Sequence, residues 1–131
     1  PGDMSSPMQD KINHTEYICD ENPSGIKTIK VDFDESQKGK VIYTTADGTH
    51  TISFGLGSTV TGALPVYGYR YAASGAWRMD NYLLFRINIV DDEIGNVYMG
   101  LNYKDDYITV VLKKVVENKL DEYQGVFSGK C

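Results

Sequence analysis

Apolar and polar side chains alternate with a period of two through most of the stretch from Pro65 to Lys113. Successive side chains of a β-strand point to opposite faces, so this alternation predicts strands that bury one face only. Asp80-Asn81 and Asp105-Asp106 interrupt the pattern with residues that favour tight turns, and residues 91–96 form a longer polar connection. We therefore predict four consecutive antiparallel strands, whose shared apolar face must be covered by another part of the chain.

The first half of the chain carries the same pattern over shorter stretches. Ile29, Val31 and Phe33 alternate with charged residues and predict a half-buried strand. Two further strands flank Asp47-Gly48, a dipeptide that is a strong hairpin signal because both residues tolerate the left-handed backbone of a tight turn. The antiparallel pattern therefore extends over most of the chain.

The remaining segments have weaker signals. Residues 16–20 and 123–127 can form short first and last strands. Residues 55–64, rich in glycine, serine and threonine, are predicted to be a loop, and residues 115–122 to form either one helical turn or a loop. Residues 1–14 have no apolar period and are predicted to be a flexible arm or the remnant of a linker.

The sum of these predictions is an all-β chain of eight or nine strands. A long sheet with one apolar face twists, and its open edges invite pairing, so it usually closes into a barrel or splits into a sandwich. Short sequential turns favour an antiparallel up-and-down barrel. We predict a barrel of about eight strands over residues 15–131, as a single domain.

Composition narrows the possible partners. The chain has 131 residues and a formal net charge of −5, and its lysines are scattered. Nucleic acid is therefore not an expected partner, because phosphate binding needs a clustered basic face. We expect no membrane span, because no apolar run reaches the required length. Cys19 and Cys131 could pair if the first and last strands meet, but a terminal cysteine is often mobile, and we favour free thiols.

Candidates for catalysis or metal binding have simpler structural explanations. Ser24 and Lys27 match the S-x-x-K pattern of penicillin-recognising hydrolases, but that pattern needs a helix start, and here it leads into a predicted strand. His14 lies in the arm and His50 shares a strand face with apolar residues. Asp91-Asp92-Glu93 lacks the alternating oxygen ligands of a calcium loop. We predict no catalytic residue, no cofactor, no metal and no enzyme activity for this chain alone.

The aromatic residues of the central stretch are the more informative candidates. Four of them are predicted to share one strand face, and arginines are predicted to lie on the polar faces. Such aromatic side chains more often form a barrel core or wall than a ligand platform, yet an eight-stranded barrel is just wide enough to hold one small ligand. The arginines could form a surface pairing network or contact a partner. The candidate ligand or partner contacts are Tyr67, Tyr69, Tyr71, Trp77, Arg70 and Arg86.

Five short segments between Asn22 and the C-terminus carry a resemblance through their order and spacing. They are Asn22-Pro23-Ser24-Gly25-Ile26, Ile29-Lys30-Val31-Asp32-Phe33, Phe54-Gly55-Leu56-Gly57, Gly75-x-Trp77-x-x-Asp80-Asn81 and Leu101-x-Tyr103-x-Asp105-Asp106-x-Ile108-Thr109-Val110. Together they resemble the C-terminal β-domain of β-lactamase-related, penicillin-binding-protein-like serine hydrolases.

This resemblance implies a lipocalin-like barrel that acts as a non-catalytic accessory domain and packs against an upstream catalytic domain of the same polypeptide. The family's catalytic residues lie in that upstream domain, so none maps to a position here. The first residue is Pro1, and we expect this chain to be a segment of a longer bacterial protein. The location of that protein, in the cytoplasm or the cell envelope, stays open. The alternative hypothesis is a stand-alone barrel that binds a small apolar ligand.

Overall fold

The computed structural model describes residues 5–91, 94–116 and 119–131. Within these ranges the chain forms ten strands, one short α-helix and one 3₁₀ turn. The helix α1 is Met8–Ile12, and the 3₁₀ turn is Asp121–Tyr123. The strands are β1 (Tyr17–Cys19), β2 (Thr28–Phe33), β3 (Lys38–Thr45), β4 (Gly48–Leu56), β5 (Val60–Ala63), β6 (Arg70–Met79), β7 (Tyr82–Ile89), β8 (Gly95–Lys104), β9 (Tyr107–Val115) and β10 (Gly125–Lys130).

The strands form one sheet that closes on itself as a barrel. Neighbours in sequence pair in antiparallel fashion from β1 to β4 and from β6 to β10, and β1 also pairs with β10. The last junction is parallel, because Gly55 and Leu56 of β4 pair with Ser74 and Gly75 of β6. The predicted all-β barrel is confirmed, with nine strands in the ring and β5 as an extra strand instead of about eight.

The predicted antiparallel meander corresponds to β6 through β9. Asp80-Asn81, Asp105-Asp106 and Asp47-Gly48 all lie at the turns that the sequence predicts. The prediction of a helical turn or loop over residues 115–122 agrees with the 3₁₀ turn, although residues 117–118 lie outside the described residues. Local turn chemistry therefore indicates these three tight connections.

The loop prediction for residues 55–64 is wrong in part, because Val60–Ala63 form β5. The segment pairs with β6 through four consecutive residue pairs, from Val60 with Ala73 to Ala63 with Arg70. Its small and polar side chains give no clear apolar alternation. β5 pairs with the next strand along the chain, and it is missed because its own side chains carry no strand pattern.

Helix α1 lies within the arm predicted for residues 1–14. Ile12 is buried, and the Asn13 side chain accepts a hydrogen bond from the backbone N–H of Phe33 (2.9 Å). A five-residue helix is too short for periodicity to reveal it. The domain boundary predicted after residue 14 stays a prediction. Among the described residues, no helix has the length and apolar character needed to cross a membrane.

The barrel has two different ends. At the closed end lie α1 and the turns at residues 34–37, 80–81 and 105–106. At the other end, called the mouth, lie the connections at residues 20–27, 46–47, 64–69 and 119–124. The inward side chains between the two ends form one continuous apolar core.

Aromatic side chains fill the closed half of the interior. The Phe54 and Phe85 rings lie 4.4 Å apart, and the Trp77 indole lies 6.5 Å from Phe33 and 6.3 Å from Tyr103, measured between ring centroids. These five residues are called the aromatic layer. Trp77 is only 1% exposed, so the layer excludes water from this half of the barrel.

Gly75 makes room for the aromatic layer. A Cβ atom at this position would lie 2.6 Å from Cδ1 of Phe85, its partner on β7, and Phe85 is itself packed against Phe54. We expect Gly75→Ala to lower the free energy of unfolding by about 1–3 kcal/mol, the usual penalty of overpacking, partly offset by the lower unfolded-state entropy of alanine.

Urea denaturation followed by the emission of the single tryptophan measures this change. Ser74→Ala, on the opposite face of the same strand, is the control and is expected to change stability by less than about 0.5 kcal/mol. An unchanged midpoint for Gly75→Ala would mean that Phe85 has room to move.

Helix α1 is fastened to the barrel by the Trp77 indole, whose Nε1–H donates to Oε1 of Gln9 (3.1 Å). We expect Gln9→Ala to destabilise the fold by about 1–3 kcal/mol, because a buried N–H donor loses its partner. Lys11→Ala, an exposed position of the same helix, is the matched control. Equal denaturation midpoints for the two variants would show that this hydrogen bond does not hold α1.

Candidate functional site

A cavity of about 240 Å³ opens at the mouth of the barrel. Its rim is built by residues 24–26, 45–47, 65–67 and 122–123, which come from four separate connections. Met99 of β8 and Leu112 of β9, a directly paired couple, form an apolar floor. Met99 also pairs with Phe85, so the cavity ends against the aromatic layer.

The connection between β1 and β2 forms one side of the rim and is held by its own side chains. The Asn22 amide donates to the carbonyls of Asp20 (2.8 Å) and Ile26 (2.9 Å), and its oxygen accepts from the Ile26 N–H. Gly25 has a φ of +69°, a conformation that favours glycine. The hydroxyl of Ser24 donates to the backbone carbonyl of Glu122, which joins this connection to the 3₁₀ turn.

The connection between β5 and β6 forms the opposite side. Leu64 and Tyr69 close it with a backbone hydrogen bond of 2.7 Å, and the Tyr67 and Tyr69 rings stack with centroids 5.5 Å apart. Val66 sits at its tip with a φ of +72° and is 78% exposed. A β-branched residue rarely adopts this backbone conformation. The rim therefore presents an exposed apolar side chain beside the opening.

Three phenols, those of Tyr43, Tyr67 and Tyr123, lie in the cavity wall with the carboxylate of Glu122. The Tyr67 hydroxyl donates to Oε2 of Glu122 (2.7 Å), and the hydroxyls of Tyr43 and Tyr123 lie 3.2 Å apart. The other carboxylate oxygen, Oε1, is buried and has no hydrogen-bond partner among the described residues. The cavity wall thus contains a polar region beside an apolar floor.

These three phenols hold their protons. Burial, reinforced by the hydrogen bond to Glu122 and its charge, raises the pKa of Tyr67 to about 12. Burial likewise raises the pKa of Tyr43 and of Tyr123. The charge of Glu122 also raises the pKa of both, whereas the hydrogen bond with Tyr123 opposes the rise in the pKa of Tyr43. All three hydroxyls therefore remain hydrogen-bond donors at neutral pH.

Two further titratable side chains line the wall. His50 bonds through Nε2 to the hydroxyl of Thr45 (2.9 Å), and its ring lies 5.2 Å from the Tyr43 ring. Asp47 lies in the turn between β3 and β4. These contacts give His50 a fixed place in the wall.

The structure separates the aromatic residues that the sequence groups on one face. Tyr67 lines the cavity, and Tyr69 stacks on it from the same connection. Tyr71 is buried in β6, and its hydroxyl accepts the backbone N–H of Ser53 (2.7 Å). Trp77 belongs to the aromatic layer at the closed end. Of the four, Tyr67 alone contributes to the cavity lining.

The candidate arginines lie outside the barrel. Arg70 donates through its backbone N–H and through Nε to the carboxylate of Asp91 (2.8 and 2.9 Å). Arg86 donates through Nε to Oδ1 of Asn96 (3.3 Å) and is exposed. Their role as partner contacts stays a prediction.

Other candidate residues have ordinary structural surroundings. Ser24 lies on a turn and uses its hydroxyl to bond Glu122, and His14 bonds Asp32 (2.7 Å). Cys19 and Cys131 are free thiols. Asp92 and Glu93 of the acidic segment Asp91-Asp92-Glu93 lie outside the described residues.

Sequence analysis does not identify most of the cavity residues. Tyr43, Met99 and Leu112 follow the inward alternation of their strands, so the pattern predicts burial but not which end of the barrel they face. Glu122 lies in a short polar segment with no periodicity. Its role depends on Tyr67, which is 55 residues away.

No protein-family model matches the sequence, and no curated protein sequence matches it significantly. Several solved structures are nevertheless similar in fold. A fatty-acid-binding protein from brain tissue of Drosophila melanogaster has a TM-score of 0.67 and 14% identity, with 92% of this chain and 99% of that chain covered.

Two other structures agree. Apo lipid binding protein 8 of Caenorhabditis elegans has a TM-score of 0.68 and 5% identity, with 95% and 96% covered. The fatty-acid-binding protein of Manduca sexta has a TM-score of 0.60 and 16% identity, with 89% and 97% covered. At such identities the likeness shows the fold alone, which is a lipocalin-like closed barrel.

These structures correct the resemblance to the C-terminal domain of β-lactamase-related serine hydrolases, which is wrong. This chain covers 99% of the Drosophila melanogaster chain and 96% of the Caenorhabditis elegans chain, so in those two structures the barrel makes up the whole chain. The accessory role, and with it the upstream catalytic domain as a partner, is therefore without support. The segments that carried the resemblance, such as Asp80-Asn81 and Asp105-Asp106, are turn signals that any barrel with these connections needs. The fold of this chain is that of a lipocalin-like closed barrel.

Proposed function

We propose that this chain is a binding protein that holds a small apolar ligand in the mouth of its barrel. The observation that carries the proposal is the cavity of about 240 Å³ above the floor formed by Met99 and Leu112, which belong to the continuous apolar core. A concave apolar site with a few polar groups is the usual form of a ligand pocket.

The dimensions indicate a short ligand. Pockets for drug-sized ligands usually measure roughly 300–1,000 Å³, which is more than this cavity offers. The aromatic layer prevents a long chain from passing towards the closed end. A short alkyl chain, or one end of a longer chain, fits these limits.

The names of the similar structures agree with this role. They are described as fatty-acid-binding or lipid-binding proteins and not as enzymes. A similar fold does not establish a similar ligand, because function depends on the site. The support for the proposal is therefore the cavity, and the similar structures add to it.

Filling the floor of the cavity tests the proposal. N-phenyl-1-naphthylamine is a small neutral probe whose emission rises in apolar surroundings, and we expect it to bind the wild-type chain saturably. Leu112→Trp places an indole in the space that the probe would use, so we expect it to weaken probe binding by about tenfold or more. The measurement is a fluorescence titration with direct excitation of the probe.

Val126→Trp is the matched control, because it adds the same indole to an exposed position on the outside of β10. It is expected to bind the probe like the wild type. Equal binding by all three proteins would place the probe outside the cavity and contradict the proposal.

A further inference from the structure

The carboxylate of Glu122 lies in the cavity wall with half of its hydrogen-bonding capacity unused. Oε2 accepts from the Tyr67 hydroxyl (2.7 Å), whereas Oε1 is buried without a partner among the described residues. Buried polar atoms in native proteins nearly always have a partner, so an exception calls for an explanation. A ligand that carries an N–H or O–H group would supply the missing donor.

The charged side chains of the cavity wall also favour a ligand that donates a hydrogen bond. The ionisable carboxylic acids of the wall are Asp47 and Glu122, and no lysine or arginine belongs to the lining in the described part of the chain. The nearby ammonium groups are used elsewhere: Lys114 bonds Asp121 and a backbone carbonyl, and Lys119 lies 6.0 Å from the Tyr69 ring centroid. A carboxylate ligand would meet a wall of its own sign.

The phenol pair supplies a complementary group. Tyr43 and Tyr123 share one hydrogen bond of 3.2 Å, so one of their two hydroxyl protons is not used between them. The polar region therefore offers one acceptor, Oε1 of Glu122, and one donor. An alcohol matches both groups, and a primary amine matches the acceptor with a charge-assisted hydrogen bond.

We infer that the cavity selects an apolar ligand whose polar end donates a hydrogen bond to Oε1 of Glu122, such as an alkyl amine or alcohol, in preference to a fatty-acid anion. This inference rests on the proposed function, because it concerns the ligand of the same cavity. It differs from what the names of the similar structures suggest, because the groups that line this cavity would receive an acid poorly.

Three ligands with the same alkyl chain test the selection. Octylamine, n-octanol and octanoate are titrated into the wild-type chain at neutral pH by isothermal titration calorimetry. We expect the amine and the alcohol each to bind at least about tenfold more tightly than octanoate. Octanoate binding as tightly as the other two would overturn the inference while leaving the proposed function intact. Binding of none of the three, with no binding of the naphthylamine probe, would overturn both.

Variants then identify the acceptor. Glu122→Gln replaces the carboxylate with an amide that also donates, and we expect the preference for octylamine over octanoate to fall by about tenfold. Glu35→Gln removes the same charge from an exposed position at the closed end and is expected to keep the wild-type preference. A preference that survives in Glu122→Gln would exclude Oε1 as the acceptor.

Tyr67→Phe provides a second variant that keeps the charge. It removes the donor to Oε2 and leaves Oε1 as it is, so octylamine is expected to remain preferred over octanoate. Loss of that preference in Tyr67→Phe would contradict the assignment. Emission from Trp77, at the far end of the barrel, verifies that each variant is folded.

Discussion

Closure of the sheet is the constraint on which the rest of this structure depends. A strand edge with unpaired N–H and C=O groups is unstable in water and open to aggregation, and a barrel removes such edges by pairing its first and last strands. Here two short junctions complete the ring: β1 with β10, and β4 with β6, each through two residue pairs. Because these junctions hold, the inward side chains of nine strands face one enclosed volume.

The barrel interior has two halves, which differ in the size of the side chains that point into them. In the closed half, the aromatic layer and helix α1 exclude water, and Gly75 allows Phe85 to approach the wall. In the mouth half, the cavity lies above Met99 and Leu112, between the connections that form its rim. Under the proposed function, the same packing that stabilises the fold limits the length of the ligand, and we infer that the phenols and the carboxylate at the mouth select its polar end.

The sequence predicts the strands of this barrel better than their closure. Alternation and turn residues such as Asp80-Asn81 indicate β6 through β9, because these signals act between residues close together in the chain. β5 and α1 are not predicted, because four and five residues are too few for a periodic pattern. The aromatic residues illustrate the same limit: Tyr67 and Trp77 fit one alternating pattern, yet they lie at opposite ends of the barrel.

The sequence by itself determined the fold class, the direction of most side chains and the position of most turns, since each depends on short-range backbone preferences and on the period of two. Only the tertiary structure decided where the chain closes, which half of the interior is filled and which residues line the cavity. The physical reason is distance along the chain. Tyr43 contacts Tyr123, 80 residues further along the chain, and Tyr67 contacts Glu122, 55 residues further along. No local sequence pattern encodes such long-range contacts.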